Sequence, residues 1–545
     1  MSMTKWGRRF SATMLVILML VVAACSGGEK GARTETGTQT PTTDAGSKSG
    51  DADKKPEEKS YTLEWLTYQY GPVDENAVNK KMLEDRFHVK FNIWYLDVTK
   101  REELLGTRLA NKEFPDFMTV YSAADLRKFY EDGVTVGYTQ EELETYMPNY
   151  KKLVDSYDPN IWKYVKYQGE YIGIPSINAE GVRSDAVAWR KDWLDNVGIS
   201  KVPETLEEWE EAMYKFRNND PDGNKKKDTY GMSVSSFKNI YGAFGLYPEF
   251  WFERDGKLVW GGVLPETKQA LGVLAKWKKD DLINPEWVLK TGENQGDYWA
   301  LSHDFINGKI GVSSHGMNYH WTPGDEKTGS AGGNNWIAVK EANPKAEIAY
   351  GAPPKGPQGK FGNITPGVVG LTYMSFGKNT GDDPDKKHRI MQIWDAIYGD
   401  FELWKQMKYG TFGEHSELAP DGVSIAWKEE YQGNNEKQAA IGANITFAPF
   451  DQPKFREQVT NPTALSIADQ LYKHEGAGYE NALKTSLPSD SKYYESLLQL
   501  QKETFAAIIN GEKPLDEFDN FVKEWYQRGG ETLTKEANEW MESLK

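Results

Sequence analysis

Apolar and polar residues alternate from Tyr61 to Thr67 (YTLEWLT), the period-two pattern of a strand. Between Asp74 and Phe87 the spacing changes, and Val78, Met82, Leu83 and Phe87 fall near one helical face. Val89 to Tyr95 (VKFNIWY) alternates again. Thr99 to Ala110 returns to helical spacing through Leu104, Leu105 and Leu109, and Phe117 to Val120 predicts a third strand just after Pro115-Asp116. Strands that alternate with amphipathic helices predict an α/β fold.

Ahead of Tyr61 the pattern is different. Lys5, Arg8 and Arg9 precede an apolar run, Phe10 to Val22 (FSATMLVILMLVV), closed by Ala23-Ala24-Cys25. A charged start, a short apolar stretch and small residues at its end describe a secretory signal over residues 1–24. The run falls short of the roughly 20 apolar residues that span a bilayer. Residues 25–60 are rich in Gly, Ser, Thr, Lys, Glu and Asp, the composition of a disordered tether. Residues 61–545 are too many for one core and suit two or more lobes. No later run is long or apolar enough for a transmembrane helix.

Charge and cysteine usage narrow the function. With 65 basic and 81 acidic residues the formal charge is -16, which argues against a general nucleic-acid binder, since that needs a basic face. Cys25 is the only cysteine, so it has no intramolecular disulfide partner. The 19 Trp, 29 Tyr and 22 Phe suit sugar recognition, because aromatic faces stack on the C–H faces of sugar rings; large proteins also bury such rings in their cores.

Val22-Ala23-Ala24-Cys25 resembles the lipobox of bacterial lipoproteins, with Val22 where Leu is commonest. The resemblance implies that Cys25 is diacylated and anchors the chain to the extracellular face of the cell membrane. Two acyl chains suffice for stable anchoring. RLANKEFPDFMTV (Arg108 to Val120), after its strand, helix, strand and helix, resembles the opening of the family 1 extracellular solute-binding proteins, with Asn111-Lys112 where Ser-Gly is usual. YQGEYIGIP (Tyr167 to Pro175), WRKDWLDNVGISKVPETLEEW (Trp189 to Trp209), LPETKQALGVLAKWKKDDLINPE (Leu264 to Glu286), FINGKIGV (Phe305 to Val312) and the tail Phe505 to Trp540 are similar to later family segments in the same order. The subgroup most resembled is the large oligosaccharide-binding lipoproteins of Gram-positive bacteria, related to alginate-oligosaccharide-binding proteins.

The resemblance implies a two-lobed, periplasmic-binding-protein-like α/β fold with a hinge. Lobe 1 would comprise residues 61–178 with 365–443, and lobe 2 residues 179–364 with 444–545. A carbohydrate, in that family an oligosaccharide, would sit in the cleft between them, and a monomer would deliver it to the permease subunits of an ABC importer. Loops after strands face the cleft in such folds. That points to Tyr68, Tyr70 and Tyr121 as ligand contacts, alongside Trp251 in an aromatic loop and His315, Asn318, Tyr319 and Trp321 in SSHGMNYHWTPG. Gly410 to Leu418 is a further candidate for the rim. Asp116 reads better as a turn residue at a strand entry.

The loop Asp220 to Thr229 (DPDGNKKKDT) is the candidate metal site. Asp220, Asp222 and Asn224 stand at positions 1, 3 and 5 of an EF-hand-like loop, Lys226 would offer its carbonyl at position 7, and Asp228 stands at position 9. Lys225 replaces the usual Gly at position 6, and Gly231 the bidentate Glu at position 12. The loop resembles a calcium loop of the alginate-oligosaccharide-binding relatives, which implies a structural calcium; the other reading is a plain Asp/Asn/Gly-rich turn. An enzyme is not expected. There is no G-x-S-x-G elbow or H-E-x-x-H motif, and His303, His315 and His320 do not share a helical face. The alternatives are a secreted glycosidase or lyase, or a peptide-binding lipoprotein.

Overall fold

The structure, a computed structural model, describes residues 59–67, 70–96, 100–290, 301–324, 332–365, 367, 369–474 and 477–544. Cys25 and Tyr68 lie outside the described residues. The main elements begin with β1 (Tyr61–Leu66), α1 (Val78–Phe87), β2 (Val89–Ile93), α2 (Arg101–Ala110), β3 (Phe117–Val120), α3 (Ala123–Glu131), β4 (Thr135–Val136) and β5 (Ile174–Ile177). They continue with β6 (Val187–Arg190), α4 (Leu206–Asn218), β7 (Trp251–Arg254), β8 (Lys257–Trp260), β9 (Val312–Ser313) and β10 (Ile348–Gly351). The last group is β11 (Val369–Gly377), α5 (Pro384–Gly399), α6 (Phe401–Tyr409), β12 (Ser416–Leu418), β13 (Ile425–Trp427), α7 (Pro453–Gln458), α8 (Pro462–Tyr472), α9 (Asp490–Ile509) and α10 (Glu531–Ser543).

The first sheet runs β2-β1-β3-β11-β4, and β5 also pairs with β11. β1 is parallel to β2 and to β3, with Leu63 opposite Phe91 and Trp65 opposite Phe117. Parallel neighbours need crossover connections, and α1 and α2 supply them. All four residues of β3 are buried, as befits a central strand. Asp116, at the entry to β3, is fully buried; its Oδ2 accepts from the Glu64 N–H at 2.8 Å and pairs with Lys386 at 2.5 Å. Its role is therefore structural.

Two large cores lie on either side of a crossing region. In the first, the Trp65 ring meets Phe91, Phe117 and Phe447 at 5.4, 4.6 and 5.9 Å between centroids. The second core surrounds β6 and α4, where Trp189 meets Trp209 at 4.9 Å and Trp193 meets Phe216 at 5.6 Å. β6 sits between β9 and β10, antiparallel to both. α4 starts at a capping box, Thr205 with Glu208, that satisfies the exposed N–H groups of its first turn.

Three stretches of chain connect the cores. One leaves β5 for β6 through Asn178 to Ala186, one returns from β10 to β11, and one runs from Val459 along α8. The boundary expected at residue 443 needs correction. Phe447, Ala448, Phe450 and Val459 belong to the first core. The reason is local: Thr446 O accepts from the Trp65 indole at 3.2 Å and the Thr67 hydroxyl at 2.7 Å, which draws this segment onto β1. No helix among the described residues is long and apolar enough to cross a membrane.

Candidate functional site

A cavity of about 440 Å³ opens between the two cores. One wall comes from the first lobe. α6 (FELWKQMKY) is capped by Asp400, whose side chain accepts from the Glu402 and Leu403 N–H groups, and it stops at Gly410, whose φ of +66° suits glycine. Trp404 and Lys408 are four residues apart on this helix and so share one face, which lines the cavity with Tyr409. β12 and β13 form the hairpin that brings in Trp427. Trp427 is half-buried, 6.0 Å from the Tyr409 ring and 6.1 Å from Tyr431. Met317 and Tyr319 line the cavity from the second lobe; Tyr319 is 44% exposed and its ring lies 4.1 Å from that of His320.

The floor is polar. Asn178 and Glu180 come from the first crossing segment, and Asn444, Asp451 and Arg456 from the end of the first lobe. Arg456 bridges the two carboxylates, 2.6 Å from Glu180 and 3.5 Å from Asp451. Burial holds the Tyr319 phenol above its usual pKa, and Glu180, Asp451 and Asp185 add to the effect. Lys408 is half-open at the surface yet closely surrounded by protein, and desolvation draws it down to about 8. Open aromatic faces beside a few fixed polar groups are what a sugar needs: C–H faces for stacking, hydroxyls for hydrogen bonds.

Two other cavities lie nearby. One of about 380 Å³ is in the second lobe and includes His315, Lys238, Glu249 and Trp287. Burial raises the Glu249 carboxyl, with Lys502 opposing. The other, of about 650 Å³, lies between α3 and the segment 481–495 and includes Trp251. Trp251 and Trp260 there are only 3% and 4% exposed, so neither offers a free face.

The structure thus sorts the expected contacts. Tyr319 reaches the cavity between the lobes. Trp321 does not: it is 0% exposed, its indole donates to the His315 carbonyl at 2.7 Å, and Phe305 packs edge-on at 5.3 Å. Trp251 is likewise a core residue, 5.5 Å from Trp260. His315 is buried, 2.7 Å from the Ser302 hydroxyl through Nδ1. Asn318 is buried, and among the described residues its Nδ2 has no hydrogen-bond partner. Tyr70 and Tyr121 are exposed, the latter beneath the Arg101 guanidinium at 4.4 Å, and neither lines the cavity. Among the lining residues the sequence did not single out are Trp404, Lys408, Tyr409, Trp427, Asp451 and Arg456. They sit on the short helices α6 and α7, at the end of the β12–β13 hairpin and in the loop ahead of α7, elements too short to leave a clear period in the sequence; Gly410 to Leu418, expected at the rim, is not among the lining residues.

The loop Asp220 to Thr229 follows α4. Lys225 has φ +64°, so the position where Gly is usual does make the left-handed turn. Asn224 Nδ2 donates to Asp222 at 2.8 Å and to both Asp228 oxygens at 3.2 and 3.3 Å. Asp220 Oδ2 accepts from the Lys225 N–H at 2.9 Å, while its Oδ1 is buried without a partner. Burial, then the Asp220 and Asp228 carboxylates, push Asp222 up, against the Asn224 N–H. Among the described residues no three His, Cys, Asp or Glu side chains form a ready-made metal group. The Asp222 and Asp228 carboxylates instead gather round the Asn224 amide, and the Asp220 Oδ1, without a hydrogen-bond partner among the described residues, fits a calcium ligand.

Comparison with solved structures settles the fold. An alginate-binding protein, AlgQ2, solved without calcium ion, superposes with a TM-score of 0.65 at 16% identity, over 89% of this chain and 99% of that one. The chain has the two-lobed fold of the extracellular solute-binding proteins. An EF-hand mutant of the ABC-transporter substrate-binding protein FusA from Streptococcus pneumoniae, in complex with fructo-nystose, shares the solute-binding fold with a TM-score of 0.61 at 17% identity, over 89% and 98% of the two chains. By sequence, lipoprotein LipO of Bacillus subtilis (strain 168) is 26% identical over 433 residues, 74% of this chain and 77% of LipO. The polygalacturonan/rhamnogalacturonan-binding protein YtcQ of the same organism is 22% identical over 543 residues, 98% and 99% of the two chains. No protein-family model matches the chain. The resemblance read from the motifs is thus met by the fold and by sequence relatives alike.

Proposed function

We propose that this chain captures an oligosaccharide between its lobes and delivers it to an ABC importer. The observation that carries the reading is the cavity itself, which Tyr319, Tyr409 and Trp427 line together with Glu180, Asp451 and Arg456. The named relatives and neighbours support carbohydrate as the ligand class: one is called a polygalacturonan/rhamnogalacturonan-binding protein, and one is a transporter substrate-binding protein holding fructo-nystose.

The reading is of binding without turnover. A glycosidase needs one carboxyl free to hold and give a proton opposite a second carboxylate. Glu180 and Asp451 both accept from Arg456, and Glu180 also from Arg183 at 2.6 Å, which ties both as ion-pair partners. Cys25, diacylated, anchors the chain on the outer face of the membrane, where it works as a monomer with the permease subunits. Calcium is held by Asp220, Asp222, Asn224, Asp228 and the Lys226 carbonyl, with Asn224 turning its oxygen inward. Its part is to clamp the loop after α4, remote from the sugar. The test is titration with neutral and charged oligosaccharides and with peptides, alongside analysis for cleavage products. Sugar binding without products supports the proposal, and peptide binding alone contradicts it.

A further inference from the structure

Resting on the reading of the inter-lobe cavity as the sugar site, we propose that Lys408 reads an anionic substituent, a carboxylate or a sulfate, on the captured oligosaccharide.

The argument starts from which charges are already matched. Glu180 is held by Arg183 and Arg456, each at 2.6 Å. Asp451 is held by Arg456 at 3.5 Å and by the Ala179 N–H at 3.1 Å. Asp185, which acts on Tyr319 from outside the lining, pairs with Lys238. Among the described residues this leaves the Lys408 ammonium in the cavity wall with no ion pair. Its own helix contributes Trp404 and Tyr409 beside it, the hairpin Trp427, and the loop ahead of α7 Asn444, whose N–H is spent on the Lys408 carbonyl at 3.1 Å. The charged groups that act on it are Asp451, which favours the cation, and Arg456, which disfavours it. Tyr319 and Glu180 complete the facing set, one neutral and the other bound to two guanidinium groups.

An ammonium drawn into a wall with too little counter-charge is costly, and side chains held this way cluster at functional sites. Desolvation outweighs the pull of Asp451 and lowers Lys408 to about 8. A ligand anion would supply the missing partner. It would also raise the lysine pKa in the complex, so near and above pH 8 binding takes up a proton that the free protein has begun to lose. Well below that pH the lysine is already charged and no uptake follows. A neutral sugar gains none of this.

The test is calorimetry on the full chain in mild detergent, with trigalacturonate, a sulfated galactose trisaccharide and neutral galactotriose. At pH 7 at least one anionic trisaccharide should bind ten times tighter than the neutral one or better, and the arm that does so identifies the anion. Lys408→Met should abolish that ratio, and Lys408→Arg should keep it. At pH 8.5, titrations in two buffers of different ionisation heat should show proton uptake for the wild type, absent in Lys408→Arg because arginine stays charged. Melting curves report folding of each variant; if Lys408→Met fails to fold, the wild-type ratio and the proton uptake still decide. Equal affinity for anionic and neutral sugars, or a ratio that survives Lys408→Met, overturns the role of Lys408 while leaving sugar capture intact. Binding of no sugar at all, neutral included, overturns the capture reading and this inference with it.

Discussion

Arg456 and Glu180 meet at 2.6 Å, Nη2 to Oε1, and so tie the end of the first lobe to the first crossing segment. The contact belongs to a longer chain of ion pairs. The other Glu180 oxygen meets Arg183 at 2.6 Å, and Arg183 meets Asp469 on α8 at 2.7 Å. Two of the three connections between the lobes are therefore linked at the inter-lobe cavity.

Removing one member should be felt as lost stability. Arg456→Met leaves a buried Glu180 with one arginine instead of two. Part of the Arg456 side chain is solvent-exposed, so the expected cost is about 1–3 kcal/mol, below that of a fully buried pair. Urea unfolding of Arg456→Met, Glu180→Gln and the double variant measures it. The effects should be non-additive, as for groups in one network; strict additivity would mean the pair is not coupled.

The aromatic residues divide into two classes with opposite signatures. Trp427, half-buried in the cavity wall, should act on ligand: Trp427→Ala weakens oligosaccharide binding about tenfold, the worth of one stacked ring, with little change in melting. Trp321, fully buried in the second lobe, should act on folding: Trp321→Ala costs about 3–5 kcal/mol through the void it leaves. Calorimetry and denaturant unfolding on the two variants separate these roles. A Trp321→Ala protein that folds as well as wild type would refute its placement.

How much of this was legible in the sequence depends on whether a feature leaves a periodic trace. Strand β3 lies over the residues read as a strand, Phe117 to Val120, because four buried residues after a Pro-Asp entry have few other uses. Helix α1 starts at Val78, later than the reading from Asp74. No side chain caps it, so its start carries no polar signal. Trp251 and Trp321 were chosen for their chemistry, and both are buried: Trp251, expected in a loop, opens strand β7, and the type of an aromatic residue says nothing about which side of the chain it faces. The segment around Phe447 and Phe450 has no helical or strand period, so its packing on Trp65 could be found only in three dimensions. Lys408 was invisible for the same reason: among 65 basic residues, only its surroundings set it apart.

The loop at Asp220 gives a measurement on metal-stripped protein. Calcium that binds only the folded state stabilises it by about 2.7 kcal/mol at a hundred times its dissociation constant, which raises the melting temperature by a few degrees. Chelator should reverse the rise, and Asp220→Ala with Asp222→Ala should remove it. Because ligation needs the carboxylates ionised, the burial that raises Asp222 means the effect should fade as pH falls through the carboxylate range. Identical melting in calcium and in chelator would exclude the site.

Anchoring rests on one thiol. Cys25→Ala should move the protein from the membrane fraction to the medium, or leave it as an unprocessed precursor, because the acyl acceptor is gone. Mass spectrometry of the native amino terminus checks this directly. An unacylated Cys25 in the native protein would rule the anchor out.

Sugar capture between the lobes is tested most directly by calorimetric titration of the purified chain with a panel of oligosaccharides, each sample then analysed for cleavage. At least one should bind with a micromolar dissociation constant or tighter, about -8 kcal/mol, should lose affinity in the Trp427→Ala variant, and should be recovered intact. No binding across the panel, or a sugar returned as products, would contradict the account.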